Sequence, residues 1–294
     1  MKTHKNCPIC GNNKLEPSLE VADFFLTQEQ FHIMKCPNCG FEMTQPFPDK
    51  NEIERYYQSD EYYSHPHKKK SLVSLLYEKV KQRNLKYKFR IATSGLNQGV
   101  ILDIGCGSGD FMEFAKNKNW NVCGIEPNAL ARNYAEQKLK IQIFNSLESA
   151  TPHKTSFDVI TLWHVLEHIE NLNEQVEAIK KLLKPGGRVV IALPNPDSYD
   201  AKYYGKFWAA YDVPRHLYHF RFKNIREFMS KHQFRFLKRE PMKWDAFYIA
   251  LLSEKYKYGR QRLLSALIHG IISNLHAKKN REFSSNIYIF YADL

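Results

Sequence analysis

The sequence predicts an α/β protein built on an open, Rossmann-like, mostly parallel sheet, with a small cysteine-bearing ribbon ahead of it. Three observations carry that expectation. The apolar run Val100–Ile104 leads into the glycine turn Gly105-Cys-Gly-Ser-Gly109, and Phe111-Met-Glu-Phe-Ala115 then starts a helix. Strand-like and helix-like stretches alternate from there to about residue 195, the rhythm of a parallel sheet with right-handed crossovers. Two Cys-x-x-Cys pairs, Cys7/Cys10 and Cys36/Cys39, precede both.

A chain of 294 residues holds one large domain with an appendage, or two domains. The divisions expected are a ribbon over 1–45, a tyrosine-rich and basic helical connector over 46–95, and the main domain over 96–294. The hydrophobic share of 43% is ordinary for a globular protein, and no membrane span is expected. The most apolar stretch, Leu263 to Ile272, is interrupted by His269 and Gly270 and reads as a buried helix. The first residues lack a charged-then-apolar export pattern, and the paired cysteines suit a reducing compartment, so a cytoplasmic location is expected. The formal charge of +12 is compatible with nucleic acid, anionic membrane or phosphorylated partners, and equally with a lysine-rich solvated surface. Only Lys68-Lys-Lys70 forms a run.

In the ribbon, each Cys-x-x-Cys is followed by glycine and makes a knuckle whose two thiolates face one centre. Two such knuckles, Cys7, Cys10, Cys36 and Cys39, supply the tetrahedral sulfur set that a structural Zn²⁺ prefers, and their matching form favours this over redox dithiols. Leu19–Phe24 and Phe31–Cys36 alternate as ribbon strands, with His4 and His32 as bystanders. A segment this small needs the metal to hold it together. Pro46-Phe-Pro48 marks the boundary. In the connector, Tyr56 and Tyr57 read as packing, while Tyr62 and Tyr63 are compatible with packing or with lining a pocket. From Ser71 to about Ile91 the pattern is a helix with a basic outer face.

In the main domain the second strand is Asn121–Ile125, ending at Glu126-Pro127, followed by a helix over Ala129 to Lys138. Ile141–Phe144 and Phe157–Leu162 are the third and fourth strands. A helix from about Asn173 to Leu183 stops at Lys184-Pro-Gly-Gly187, and Arg188–Leu193 is the fifth strand. Phe234–Arg239 and Asn286–Tyr291 are late strands flanking a helical stretch near Phe247 to His276.

Glycines at the first strand–helix bend let a ligand meet the backbone. A dinucleotide site wants Gly-x-Gly-x-x-Gly, whereas Asp110 stands at the third glycine's place, and an acid there is poor company for a pyrophosphate. A cofactor without phosphates and with a cationic amino-acid tail suits the loop better. S-adenosylmethionine fits: Asp103 toward its ammonium group and Glu126 on both ribose hydroxyls.

At these positions the chain resembles class I S-adenosylmethionine-dependent methyltransferases. The matching pieces are Leu102–Gly109, Gly124-Ile-Glu126, Phe157–His168 and Leu183-Lys-Pro-Gly-Gly187, in the expected order. The resemblance implies a seven-stranded sheet with the last strand antiparallel, and a cofactor bound around Asp103, Gly105, Gly107, Glu126, Trp163 and His164. Where many members place an acid to meet adenine, this chain departs with Asn145-Ser146; Asn145 and Ser146 are the adenine-side positions, with Asn145 the candidate contact.

Methyl transfer needs a base only when the acceptor carries a proton that must leave. The candidates are His164 and His168 after the fourth strand, and His216 and His219 after the fifth; Glu167 and His168 are expected to cap or pack. Residues 198–222, dense in aromatics and histidine, form a candidate acceptor lid. Tyr211-Asp212 with His216–Phe220, Tyr62-Tyr-Ser64 and the cysteine ribbon together resemble bacterial sugar C-methyltransferases, which implies His216 as base and Tyr63 as a pocket residue. Arg215 stands where that family has glutamate and is a candidate for an anionic acceptor. The function expected is methyl transfer to an oxygen or carbon of a small molecule or glycan precursor. The alternative is a ribosomal-RNA methyltransferase whose zinc ribbon and basic surface hold RNA.

Overall fold

The ribbon strands are β1 (Glu16–Ala22), β2 (Gln30–Lys35) and β3 (Glu42–Gln45), all antiparallel neighbours. The computed structural model describes residues 1–49, 52–57, 72–150 and 156–292. Tyr62, Tyr63, Ser64 and the Lys68–Lys70 run therefore lie outside the described residues. Both knuckles close in the same way: Gly11 N–H donates to the Cys7 carbonyl and Gly40 N–H to the Cys36 carbonyl, each at 2.8 Å. These glycines sit at φ 74° and 73°, the left-handed conformation the turn requires.

After helix α1 (Leu72–Ala92) the chain runs β4 (Val100–Ile104), α2 (Asp110–Lys116), β5 (Asn121–Ile125), α3 (Ala129–Leu139), β6 (Ile143–Phe144), α4 (Leu147–Ala150), β7 (Phe157–Trp163), α5 (Leu172–Leu182) and β8 (Leu183–Pro194). Apolar residues at helical spacing explain α5, which buries Leu172, Val176, Ile179 and Leu182. Next come α6 (Tyr199–Tyr204), β9 (Tyr218–His219), α7 (Phe222–Lys231), β10 (Phe234–Pro241), α8 (Asp245–Tyr258), α9 (Leu263–Asn280) and β11 (Ser285–Ala292).

The main sheet has seven strands in the order β10-β11-β8-β7-β4-β5-β6, with β11 antiparallel to both neighbours. This is the seven-stranded Rossmann-like sheet that the sequence predicts. From β4 the chain builds outward through β5 and β6, then returns to lay β7 on the other side. That reversal opens a crevice at the carboxyl ends of β4 and β7, where open α/β sheets bind ligands.

Four features depart from the sequence reading. Lys184-Pro-Gly-Gly187 lies inside β8, and its register beside β7 jumps from Phe157↔Leu183 to Val159↔Arg188, so the breakers make a bulge within the strand. The third strand is only Ile143–Phe144, and the long helical stretch is two helices, broken at Gly259 with φ 71°. The fourth departure is α9, which is not a buried helix: Leu263, Leu264, Leu267 and Ile271 are exposed. Its inward stripe is instead Ala266, Gly270, Ser273 and Ala277.

The candidate lid is tied to the ribbon. β9 adds a fourth strand to the ribbon sheet, pairing Tyr218 with Met43 and His219 with Glu42. Tyr218 stacks on Phe41 at 5.8 Å, and Cys7, Phe41 and Met43 share one core with Leu102, Ile160, Val189 and Phe228. Burying one such large side chain is worth about 1.5–3 kcal/mol, which locks ribbon, lid and sheet together.

Candidate functional site

The glycine loop is fastened to β5, since the Gly105 and Cys106 N–H groups both donate to the Ile125 carbonyl at 2.8 and 3.0 Å. A Cβ at Gly105 would lie 2.5 Å from Val165 Cγ2, so no other residue fits there. At Gly107, φ is 53° and a Cβ would meet nothing within 4 Å; this stretch of backbone faces open space where a ligand can lie. Glu126 is oriented by two backbone donors, Gly107 N–H to Oε2 at 2.8 Å and Asn128 N–H to Oε1 at 2.9 Å. Each carboxylate oxygen keeps a lone pair for a ribose hydroxyl. Asp103 is buried and accepts from Thr161 Oγ1 at 2.6 Å. Burial pushes its carboxyl up to about 7 against the opposing pull of Thr161 and Lys88. A buried acid at that position suits a ligand's ammonium group, which would restore its charged form. Asp110 is compensated by Lys138 at 2.7 Å and Lys81 at 2.9 Å, so its field bears less on the choice of cofactor than the bare sequence implies. Asn145 follows β6 at the exposed rim, next to Glu126, whose N–H donates to the Phe144 carbonyl.

Beyond the carboxyl ends of β7 and β8 lies a cavity of about 330 Å³, bounded by Lys88, His164, Asp212, His216, Asp245 and Tyr256 among others. His216 Nδ1 lies 2.9 Å from the Ala210 carbonyl. A carbonyl only accepts, so Nδ1 carries a proton, and Nε2 is the ring nitrogen left to exchange one. That Nε2 is 3.9 Å from Asp212 Oδ2 and 4.0 Å from Glu167 Oε1. His164 takes the left-handed conformation, φ 59°, and its ring lies between Asp245 (3.0 Å) and Glu167 (3.5 Å). Burial works against its charge, but the two carboxylates outweigh it and raise the imidazole to about 9. His164 is thus a cation at neutral pH, which fits positioning rather than proton abstraction. His168 is the opposite case: burial, then repulsion from His216, lowers it to about 4. Its Nδ1 lies 3.0 Å from the Arg215 carbonyl and 3.1 Å from the Tyr57 hydroxyl.

A family model described as a methyltransferase domain matches residues 76–238, more than half of the chain. The chain belongs to this methyltransferase domain family. Among curated relatives, the ubiquinone biosynthesis O-methyltransferase of Aeromonas salmonicida is 35% identical over 116 residues, covering 36% of this chain and 49% of that protein. That of Cronobacter sakazakii is 33% identical over 115 residues, covering 34% and 44%. The chain thus spans about half the length, 49% and 44%, of these two relatives. Two solved structures share the fold of the methyltransferase domain. A putative sarcosine dimethylglycine methyltransferase from Galdieria sulphuraria has a TM-score of 0.51 at 12% identity, covering 74% of this chain and 88% of that one. A mycolic acid cyclopropane synthase complexed with SAH and CTAB has a TM-score of 0.50 at 18% identity, covering 71% and 84%.

Asp103, Gly105, Gly107, Glu126, Trp163 and His164 all lie at or just beyond the carboxyl ends of the parallel neighbours β4, β5 and β7. Trp163 meets Phe111 edge-on at 5.2 Å with Lys88 over its ring at 4.8 Å. His219 is also held away from proton transfer. His219 lies with Nε2 3.0 Å from Thr44 Oγ1, whose hydroxyl donates to the His216 carbonyl, so this ring props His216 from behind. Arg215, expected to meet an anionic acceptor, is already engaged: it donates to Asp23 (2.7 Å), to Asp212 (2.8 and 3.0 Å) and to the Tyr56 carbonyl (2.9 Å). It clamps ribbon to lid. Glu167, expected to cap or pack, is 1% exposed, and its carboxylate faces His164 at 3.5 Å and His216 at 4.0 Å. Its location one turn after His164 was the only signal in the sequence. Lys88, Asp245 and Tyr256 join the pocket from distant helices and carried none.

The four knuckle cysteines form a second donor group. Cys7 and Cys39 Sγ are 3.5 Å apart, as are Cys10 and Cys36 Sγ, and all four lie within 4.8 Å of one another. Tetrahedral ligands at 2.3 Å would stand about 3.8 Å apart, so the set fits a tetrahedral metal ion.

Proposed function

We propose that this chain transfers a methyl group from S-adenosylmethionine to an oxygen or carbon of a small-molecule or glycan-precursor acceptor, with His216 as general base. The observation that supports this reading is that the glycine loop follows β4 while the His164 and His216 cavity lies beyond β7 and β8, and these three strands are parallel neighbours whose carboxyl ends share one side of the sheet. When bound, S-adenosylmethionine supplies a methyl already activated on a sulfonium. Glu126 holds the ribose, Asp103 balances the ammonium group, Gly105 and Gly107 give backbone approach, and Asn145 meets the adenine side. The chain's remaining task is to align the acceptor, exclude water and take one proton.

His216 Nε2 accepts that proton, and the Glu167 and Asp212 carboxylates offset the positive charge that forms on the ring. His164, fixed by Asp245, shapes the wall beside it. Segment 198–222 closes the acceptor side, contributing Ala209, Ala210, Asp212 and His216 to the cavity. Cys7, Cys10, Cys36 and Cys39 hold a structural Zn²⁺ that stiffens the ribbon on which this segment rests. The printed names of the curated relatives favour an oxygen acceptor, and they lend no support to a ribosomal-RNA substrate.

The test is incubation of the protein with methyl-labelled S-adenosylmethionine and the small-molecule fraction of a cell extract, read by mass spectrometry. A labelled small molecule is expected. Failure to bind S-adenosylmethionine in calorimetry would overturn the reading.

A further inference from the structure

Helix α9 turns its large aliphatic side chains away from the protein. Ser273 Oγ donates inward to the buried Asp200 at 2.6 Å, and a Cβ at Gly270 would lie 2.5 Å from the Phe247 ring. The outer side carries Leu263 (68% exposed), Leu264 (71%), Leu267 (50%), Ile268 (45%), Ile271 (44%) and Leu275 (51%). At about 1.5 Å per residue, the strip from Leu263 to Leu275 runs along roughly 20 Å of the 18-residue helix. Monomeric proteins rarely leave so continuous a strip uncovered.

What covers it is decided by the charges at its ends. Arg260 and Arg262 precede the first turn, Arg262 within 3.5 Å of the buried Glu254, and Lys278, Lys279 and Arg281 close the last; residues 255–281, between Glu254 and Glu282, contain no Asp or Glu. An aliphatic strip between cationic ends matches the interface of an anionic bilayer, where the side chains enter the acyl boundary and the cations meet lipid phosphates. A second copy would set the same cations against each other on chains of charge +12. Among the described residues no helix is long and apolar enough to cross a membrane, so the contact is peripheral. Helix α8, packed on α9, contributes Tyr248, Ile249 and Leu252 to the cavity wall, so one helical hairpin serves both surfaces.

We infer that the outer face of α9 docks this protein onto anionic lipid bilayers. The experiment is cosedimentation with extruded vesicles of equimolar phosphatidylglycerol and phosphatidylcholine, against phosphatidylcholine alone, at low and high salt. It uses neither cofactor nor acceptor, so its outcome is independent of the methyl-transfer reading. Wild type is expected to bind the anionic vesicles at least tenfold more tightly, and more weakly at high salt. The triple variant Leu264→Ser, Leu267→Ser, Ile271→Ser alters exposed positions only, and is expected to lose binding tenfold or more with its unfolding temperature unchanged. Lys278→Ala with Lys279→Ala is expected to weaken binding by on the order of tenfold. No binding to anionic vesicles, or full binding by the triple variant, overturns the inference. So does a wild-type dimer in sedimentation velocity that the triple variant dissociates, since a second copy would then cover the face.

Discussion

If Glu126 holds the ribose as proposed, replacing it by alanine removes a side chain that ties the glycine loop to the nucleoside. In the structure it accepts from Gly107 N–H at 2.8 Å and Asn128 N–H at 2.9 Å, and each oxygen retains a further lone pair. Each ribose hydroxyl donating to an ionised carboxylate is worth about 1.5–3 kcal/mol. Losing both costs about 3–6 kcal/mol, and even the lower figure is a more than hundredfold rise in Kd. The freed Gly107 backbone adds to the loss in the same direction. Glu126→Gln keeps one acceptor oxygen and should fall between wild type and alanine. Isothermal calorimetry with S-adenosylmethionine measures all three, with thermal unfolding to show that the variants stay folded. A Glu126→Ala affinity within threefold of wild type would refute the assignment of this carboxylate to the ribose.

Three further outcomes follow from the geometry. Arg215→Leu strands the buried Asp23 and should lower stability by about 3–5 kcal/mol in denaturant unfolding; a change under 1 kcal/mol would mean the clamp is not structural. Cys36→Ser should purify with little bound zinc, and chelation of wild type should unfold the ribbon first, seen as lost hydrogen-exchange protection in β1 to β3. Asp103 is pushed up to about 7 by burial, so below that pH it is protonated and offers the ammonium group no charge. S-adenosylmethionine affinity should therefore fall as pH drops from 8 to 6, and Asp103→Asn should bind weakly with a flat profile.

The parts of the molecule with local causes were readable in advance. Val100–Ile104 with its glycine turn, the apolar spacing of α5 and the two cysteine knuckles each fix their own conformation. What needed distant partners was not readable. The apolar run at Leu263–Ile272 says that a helix forms but not which side is covered. That choice came from Ala266, Gly270 and Ser273, whose small side chains let α9 approach α8 and Asp200. Tyr218-His219 looked like part of a free lid, yet it pairs with β3 across more than half the sequence. Arg215 was read by its chemistry as an anion binder, whereas Asp23 and Asp212 already satisfy it. Glu167 is expected to cap or pack, and the sequence does not show that its buried carboxylate faces His164, His168 and His216.

His216→Asn keeps a donor toward the Ala210 carbonyl while removing the base, and comparing it with wild type tests the central claim most directly. S-adenosylmethionine binding is measured by calorimetry, and label transfer into the identified acceptor by mass spectrometry. The account predicts unchanged cofactor affinity with transfer slowed by about 10²–10⁴-fold. Transfer at the wild-type rate would contradict it.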